Sequence, residues 1–191
     1  MLNEITRITL LVTQTLEQLD IPYAVGGSLA SSLHGIMRAT LDADIVAELR
    51  IEHIHPLISV LSQEFYADGE MMRDAIEHHS SFSLIHYETA YKVDIFIRKV
   101  RPYGRVQMER RQKSVISTDP EQSIYVTTPE DTILAKLEWY RLGGEVSERQ
   151  WRDILGVIKA RAEGLDLVYL QKWAAELQVV DLLEQALKEV I

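Results

Sequence analysis

The chain has 191 residues, of which 47% are apolar and 26% charged, a balance that supports a packed core and excludes a disordered segment. Its net charge of −9 and pI near 5.2 exclude the electrostatic footprint of a general nucleic-acid binder. It has no cysteine, which removes disulfides, thiolate zinc sites and cysteine nucleophiles.

The elements follow in chain order. Leu2, Ile5, Ile8, Leu11, Val12, Leu16 and Leu19 recur at helical spacing, so an amphipathic helix is expected up to about Asp20. The start lacks a basic stretch leading into an apolar run, and no segment approaches the ~18 apolar residues of a membrane span. No signal peptide and no membrane partner are therefore expected, and the cytoplasm is the expected location. "YAVGG" reads as a short buried strand, followed by a helix, "LASSLHGI", capped by Ser28 and stopped near Gly35.

"LDADIVAEL" is a second strand, and "HPLISVLSQEF" a helix with Pro56 in its first turn. "EMMRDAIEHH" is a short helix or an irregular piece. "SFSLIHYE" and "YKVDIFIR" are strands joined by a hairpin at Glu88, Thr89 and Ala90. "RVQMERRQ" is ambiguous, and "SIYVTT" closes the strand-bearing part.

At Thr128 the pattern changes. Thr128 is placed to cap, Pro129 to occupy the first helical position, and Glu130 and Asp131 to fill the first turn. The remainder reads as about four helices with breaks near 143–144, 164–165 and 179. The expected organisation is an α+β core over residues 1–127, with a mixed or antiparallel sheet, and a C-terminal helical domain over 128–191.

The chemistry concentrates in the strands. Alternation puts Asp42 and Asp44 on one face and Leu41, Ala43 and Ile45 on the other. In "YKVDIFIR" the same rule turns Val93, Ile95 and Ile97 to the core, and Lys92, Asp94, Phe96 and Arg98 away from it. Were the two strands neighbours, Asp94 would meet Asp42 and Asp44 on one open face. Each like-charged pair at about 4 Å costs about 4 kcal/mol at an effective dielectric near 20. A divalent cation removes that cost, and an all-oxygen donor set selects Mg²⁺ or Mn²⁺. The competing reading is a solvated edge.

Gly26, Gly27 and Ser28 join a strand to a helix, where free N–H groups bind anions. The alternative is an ordinary helix cap. Neither a Walker motif nor G-x-G-x-x-G is present.

Together these residues resemble the nucleotidyltransferase superfamily that includes DNA polymerase β. The resemblance rests on Gly27–Ser28, on Asp42–Ala43–Asp44–Ile45 after thirteen further residues, and on Asp94 within "KVDIF". "RATLDAD" is similar to the R-x-T-x-D-x-D of the minimal bacterial branch that contains AbiE-type toxins. "TTPEDTILAKLEWYR" and "RQWRDILGVI" are similar to that branch's helical segments.

The resemblance implies a nucleotidyltransferase-like mixed sheet with flanking helices and a C-terminal helical bundle. It implies transfer of a nucleoside monophosphate from an NTP to an acceptor, a small molecule, a protein or tRNA, with release of pyrophosphate. Asp42, Asp44 and Asp94 would hold the metals, and Asp94 would act on the acceptor. Gly27 and Ser28 would meet the triphosphate, Lys136 would contact nucleotide phosphate, and Asp153 matches the acidic residue a helix later. Gly26 and Gly156 depart from the pattern, the second standing where an acidic residue is common.

From the residues alone, Lys136 borders an apolar stripe and either reaches a cleft or snorkels to solvent. Asp153 either serves a ligand or pairs with Lys136 or a nearby arginine. Arg38 either binds phosphate or locks the Asp42–Asp44 strand. The alternative to an enzyme is a nucleotide sensor or a toxin–antitoxin-type interaction protein without turnover.

The other constellations read as structural. The six histidines lack a metal-ligand spacing and are expected in surface or capping roles. Trp139, Tyr140 and Trp151 are expected to pack helices together. The basic stretch from Lys92 to Lys113 is expected as a solvated helix face, the alternative being a local basic groove.

Overall fold

The structure, a computed structural model, describes residues 4–35, 42–118 and 120–190. The expectation for Arg38, and the first half of "RATLDAD", lie outside the described residues. The chain divides into two compact units, one formed by residues 1–26 and 40–126, the other by 27–39 and 127–191.

The first unit holds a seven-stranded mixed sheet in the order β3-β4-β5-β2-β1-β7-β6. Its strands are β1 Tyr23–Val25, β2 Asp42–Ala47, β3 Phe65–Tyr66, β4 Ser81–His86, β5 Lys92–Ile97, β6 Gln112–Thr118 and β7 Glu121–Val126. The pairs β2–β5 and β1–β7 are parallel, and all others antiparallel.

Four helices belong to this unit: α1 Glu4–Gln18, α3 Ile54–Leu61, α4 Gly69–His78 and α5 Pro102–Arg110. Ile5, Ile8, Val12 and Leu16 form the buried stripe of α1, at the spacing the sequence dictates. The helices α1 and α4 contact the sheet, and α3 bridges them. Ala43, Ile45, Val93, Ile95, Phe82 and Leu84 supply the strand side of this core.

Three local expectations are corrected. The helix expected to run to Phe65 stops at Leu61, because Phe65 and Tyr66 pair with His86 and Ile85 as an edge strand. "RVQMERRQ" is split: α5 ends at Arg110, and β6 starts at Gln112 as the unforeseen partner of β7. Helix α2, Gly27–Leu33, starts one residue before Ser28, so Ser28 lies inside it rather than capping it.

The second unit contains α2 with α6 Pro129–Leu142, α7 Glu148–Arg161, α8 Leu167–Glu176 and α9 Val180–Val190. Thr128 caps α6, accepting a hydrogen bond from the Asp131 amide at 3.1 Å. Ile133, Leu134, Leu137, Ile154, Val157, Ile158, Leu170 and Leu183 form its apolar centre.

A polar network is buried beside that centre. Asp131 is fully buried and accepts from Thr128 Oγ1 at 2.9 Å and from Tyr169 Oη at 2.6 Å. Glu130 accepts from the Asp166 amide at 3.1 Å. The Pro-Glu-Asp string therefore fastens α6 to α8. Gly35, at φ +130°, ends the turn after α2 where a Cβ would lie 2.6 Å from the Ala160 Cβ of α7.

Candidate active site

The register of β2 on β5 decides the site. Asp44 faces Asp94, Asp42 faces Lys92, and Val46 faces Phe96. On the far side of β5, Ser83 of β4 faces Asp94. The buried residues alternate with these along both strands, so Asp42, Asp44 and Asp94 share the face turned away from the helix-covered core. Asp42 is exposed, and Asp44 and Asp94 are half-buried. The condition under which Asp94 meets the pair, that the two strands be neighbours, holds: they pair in parallel.

Two neighbours hold the Asp94 carboxylate. Ser83 Oγ donates to Oδ1 at 2.6 Å, and Lys92 Nζ donates to Oδ2 at 2.8 Å. The Lys92 ammonium is held above its ordinary pKa, first by the hydrogen bond to Asp94 and then by the charges of Asp94, Asp42 and Asp44. One cation thus senses all three carboxylates. Ser83 was missed in the sequence: a three-residue hairpin at 88–90 would set Leu84 opposite Asp94, and the observed register, shifted by one residue, sets Ser83 there.

The donor set fits a hard divalent cation in kind: three carboxylates on one face and a hydroxyl beside them, with no soft ligand. In the side-chain arrangement of this structure, no group of three His, Asp or Glu residues converges for metal binding among the described residues.

Gly26 donates its N–H to the Asp44 carbonyl at 2.8 Å, extending the β1–β2 ladder by one rung. A Cβ at Gly26 would make only an ordinary contact, 3.9 Å from that carbonyl, so the site does not exclude a Cβ. Gly27 has φ +56°, the left-handed region that L side chains enter at a cost of about 1–2 kcal/mol. That is the physical reason for glycine at the first position of α2. The Ser28 carbonyl accepts from Ser32 Oγ at 3.0 Å one turn on.

In the second unit, Lys136 of α6 and Asp153 of α7 form a buried ion pair, Nζ to Oδ2 at 3.0 Å. Of the alternatives open for Asp153, pairing with Lys136 is the one observed. Lys136 does not snorkel, since its side chain is only 11% exposed.

The remaining constellations take structural positions. Arg98 pairs with Glu48 at 2.8 Å, Arg105 with Glu109 at 3.5 Å, and Arg111 stacks 4.9 Å above the Tyr125 ring. Among the histidines, His86 Nδ1 bonds Thr89 Oγ1 at 2.9 Å in the hairpin, and His53 Nδ1 accepts from the Arg50 amide at 3.1 Å. Tyr140 packs on Trp151 at 5.2 Å between ring centres, as expected. Trp139 is 49% exposed.

No family model and no curated protein matches the sequence. Solved structures do match. The lincosamide antibiotic adenylyltransferase LnuA, lincomycin-bound, is 16% identical at a TM-score of 0.53, over 83% of this chain and 98% of its own. An antigenic nucleotidyltransferase-like protein from Paracoccidioides brasiliensis is 17% identical at 0.57, over 97% and 92%. ANT(2″)-Ia in complex with adenylyl-2″-tobramycin is 11% identical at 0.56, over 92% and 97%. At these identities the likeness concerns architecture. The chain has a nucleotidyltransferase-like α+β fold, with a mixed sheet and a helical C-terminal bundle.

Proposed function

We propose that this chain is a nucleotidyltransferase, moving a nucleoside monophosphate from an NTP to an acceptor and releasing pyrophosphate. The observation that carries this reading is the register of Asp44 on Asp94, with Asp42 on the same open face, in a sheet of nucleotidyltransferase-like fold. Low sequence identity leaves the activity to these residues rather than to the neighbours.

In this proposal Asp42, Asp44 and Asp94 hold Mg²⁺ or Mn²⁺. The cation, when bound, supplies charge stabilisation to the α-phosphate and to the leaving pyrophosphate. Asp94 accepts the proton of the acceptor hydroxyl. The acceptor oxygen bonds to the α-phosphorus, the bond from that phosphorus to the bridging oxygen breaks, and pyrophosphate carries away the electron pair. Ser83 fixes Asp94 from the neighbouring strand, so the base is oriented before the acceptor arrives.

Gly27 and Ser28 contribute to phosphate binding, Gly27 through a backbone that an alanine would strain. Lys136 supplies a further positive charge to the nucleotide, and Asp153 is its positioning residue. Arg38 adds a phosphate contact. Assignment to the AbiE-type branch is carried by "RATLDAD" and by the string from Pro129 to Lys136 in the sequence. The helical domain is taken as residues 128–191 and the catalytic core as 1–127.

The acceptor class best supported is a small hydroxyl compound. LnuA carries lincomycin and ANT(2″)-Ia an adenylylated tobramycin, and a net charge of −9 weighs against a long nucleic acid. A protein or tRNA acceptor is the competing choice. No helix among the described residues is long and apolar enough to cross a membrane, and we place the protein in the cytoplasm.

The test is to incubate the protein with Mg²⁺ and each of four α-labelled NTPs in cell extract. The expected result is label transferred to one molecule by the native protein and not by Asp42→Ala or Asp44→Ala. Binding of an NTP with no transfer would instead identify a sensor, and no binding at all an interaction module.

A further inference from the structure

Two findings at Asp94 belong together. Both of its oxygens are engaged, one by Ser83 at 2.6 Å and the other by Lys92 at 2.8 Å. In the same arrangement, no three acidic or histidine side chains converge among the described residues, although the backbone register sets Asp94 opposite Asp44. The ammonium of Lys92, on the same strand, thus takes up one acceptor position of the oxygen that Asp94 would offer to a cation.

We infer that Lys92 is an internal counter-cation, which holds Asp94 in the metal-free protein and has to be displaced before Asp94 joins Asp42 and Asp44 around a divalent ion. This rests on reading the three carboxylates as a metal site. Lys92 therefore sets the affinity of that site.

Three features of Lys92 suit the role. It lies two residues before Asp94 on β5, so both side chains share the open face. Its Cα is the register partner of Asp42 while its ammonium bonds Asp94 two residues on, so the side chain starts level with one member of the trio and ends on another. Its side chain is 42% exposed on a flexible four-carbon stem, and water is at hand to take the ammonium when it leaves. Asp94, by contrast, is 18% exposed and fixed from the other side by Ser83. The mobile partner of the pair is the lysine. A single charge on a half-exposed chain is a weak competitor for a divalent ion, so its effect on affinity is modest, about threefold to tenfold.

The experiment is calorimetric titration of the full chain with Mn²⁺ alone, without nucleotide. Lys92→Met is expected to bind Mn²⁺ about threefold to tenfold more tightly than the native protein. Lys92→Arg, which keeps the charge, is expected to remain within about twofold of it. Adding Asp94→Asn to Lys92→Met should abolish the gain. Arg98→Gln removes a charge just past the end of β5, one committed to Glu48, and should leave the affinity unchanged. Thermal melting of each metal-free variant confirms that it is folded.

If native protein binds Mn²⁺, loses it in Asp42→Asn, and Lys92→Met is no tighter, the displacement is overturned while the metal site stands. If Arg98→Gln raises affinity as much as Lys92→Met, general charge explains the gain and the displacement is again overturned. If the native protein and Lys92→Met both bind no Mn²⁺, the metal reading itself fails, and the inference with it.

Discussion

Asp44 and Asp94 are register partners, their Cα atoms facing each other across neighbouring parallel strands on the open side of the sheet. Two like charges at directly opposed positions are destabilising, on a scale of about 0.2–1 kcal/mol. In the proposed function that cost is offset when a cation binds. Asp44→Asn is thus expected to raise the metal-free unfolding free energy by about 0.5 kcal/mol while nucleotide transfer falls at least ~100-fold. Denaturant unfolding and a transfer assay on the same preparation check both halves.

The pair of Lys136 and Asp153 makes a different prediction, because it is buried. Removing one partner strands the other charge in the apolar centre of the helical unit, so Asp153→Asn should cost about 3–5 kcal/mol in urea unfolding. Replacing both, as Lys136→Met with Asp153→Leu, should restore most of that stability. If Lys136 meets the nucleotide, the restored double variant remains defective in NTP binding, measured by equilibrium dialysis. A double variant that regains both stability and binding would leave the pair a structural one only.

His34 predicts a pH effect of definite sign. It follows α2, is buried, and donates from Nε2 to the Thr127 carbonyl at 2.7 Å. Burial holds its pKa below the ordinary histidine value, with the Thr127 carbonyl opposing in part. The unfolded chain therefore binds the proton first as pH falls. The stability that neutral His34 contributes is present above pH of about 6.5 and is lost below it, toward the folded pKa. His34→Gln should flatten the acid limb of the stability profile between about pH 7 and 5, followed by denaturant midpoints at each pH.

Gly35 tests how α2 is joined to α7. At φ +130°, with a Cβ position 2.6 Å from Ala160 Cβ, alanine is refused by backbone conformation and by space. Gly35→Ala should destabilise by about 2–3 kcal/mol. The double variant with Ala160→Gly should recover the steric share alone, as thermal melts will show.

Much of the site was legible because a strand has a period of two. Three aspartates with buried residues between them could be assigned to one face before any pairing was known, and β2 and β5 then paired. The Thr128–Pro129 start of the helical half was legible for a similar reason: a hydroxyl cap and a first-turn proline act locally.

What was not legible depended on partners distant in sequence. Phe65 and Tyr66 look helical until His86 and Ile85 are known to lie beside them. Gln112–Thr118 carries few apolar residues because it is an edge strand, held only by β7, and so lacks the buried pattern that marks the others. Lys92 was seen to face outward, yet its bond to Asp94 depends on rotamers rather than on spacing. Trp139 reads as core by type but is half exposed.

Anomalous diffraction from crystals grown with Mn²⁺ tests directly that Asp42, Asp44 and Asp94 share a divalent cation. The predicted result is a peak about 2 Å from carboxylate oxygens of Asp42 and Asp44, with the Lys92 ammonium moved off Asp94. Saturating Mn²⁺ with no peak on that face of the sheet, or a peak held by other residues alone, would contradict it.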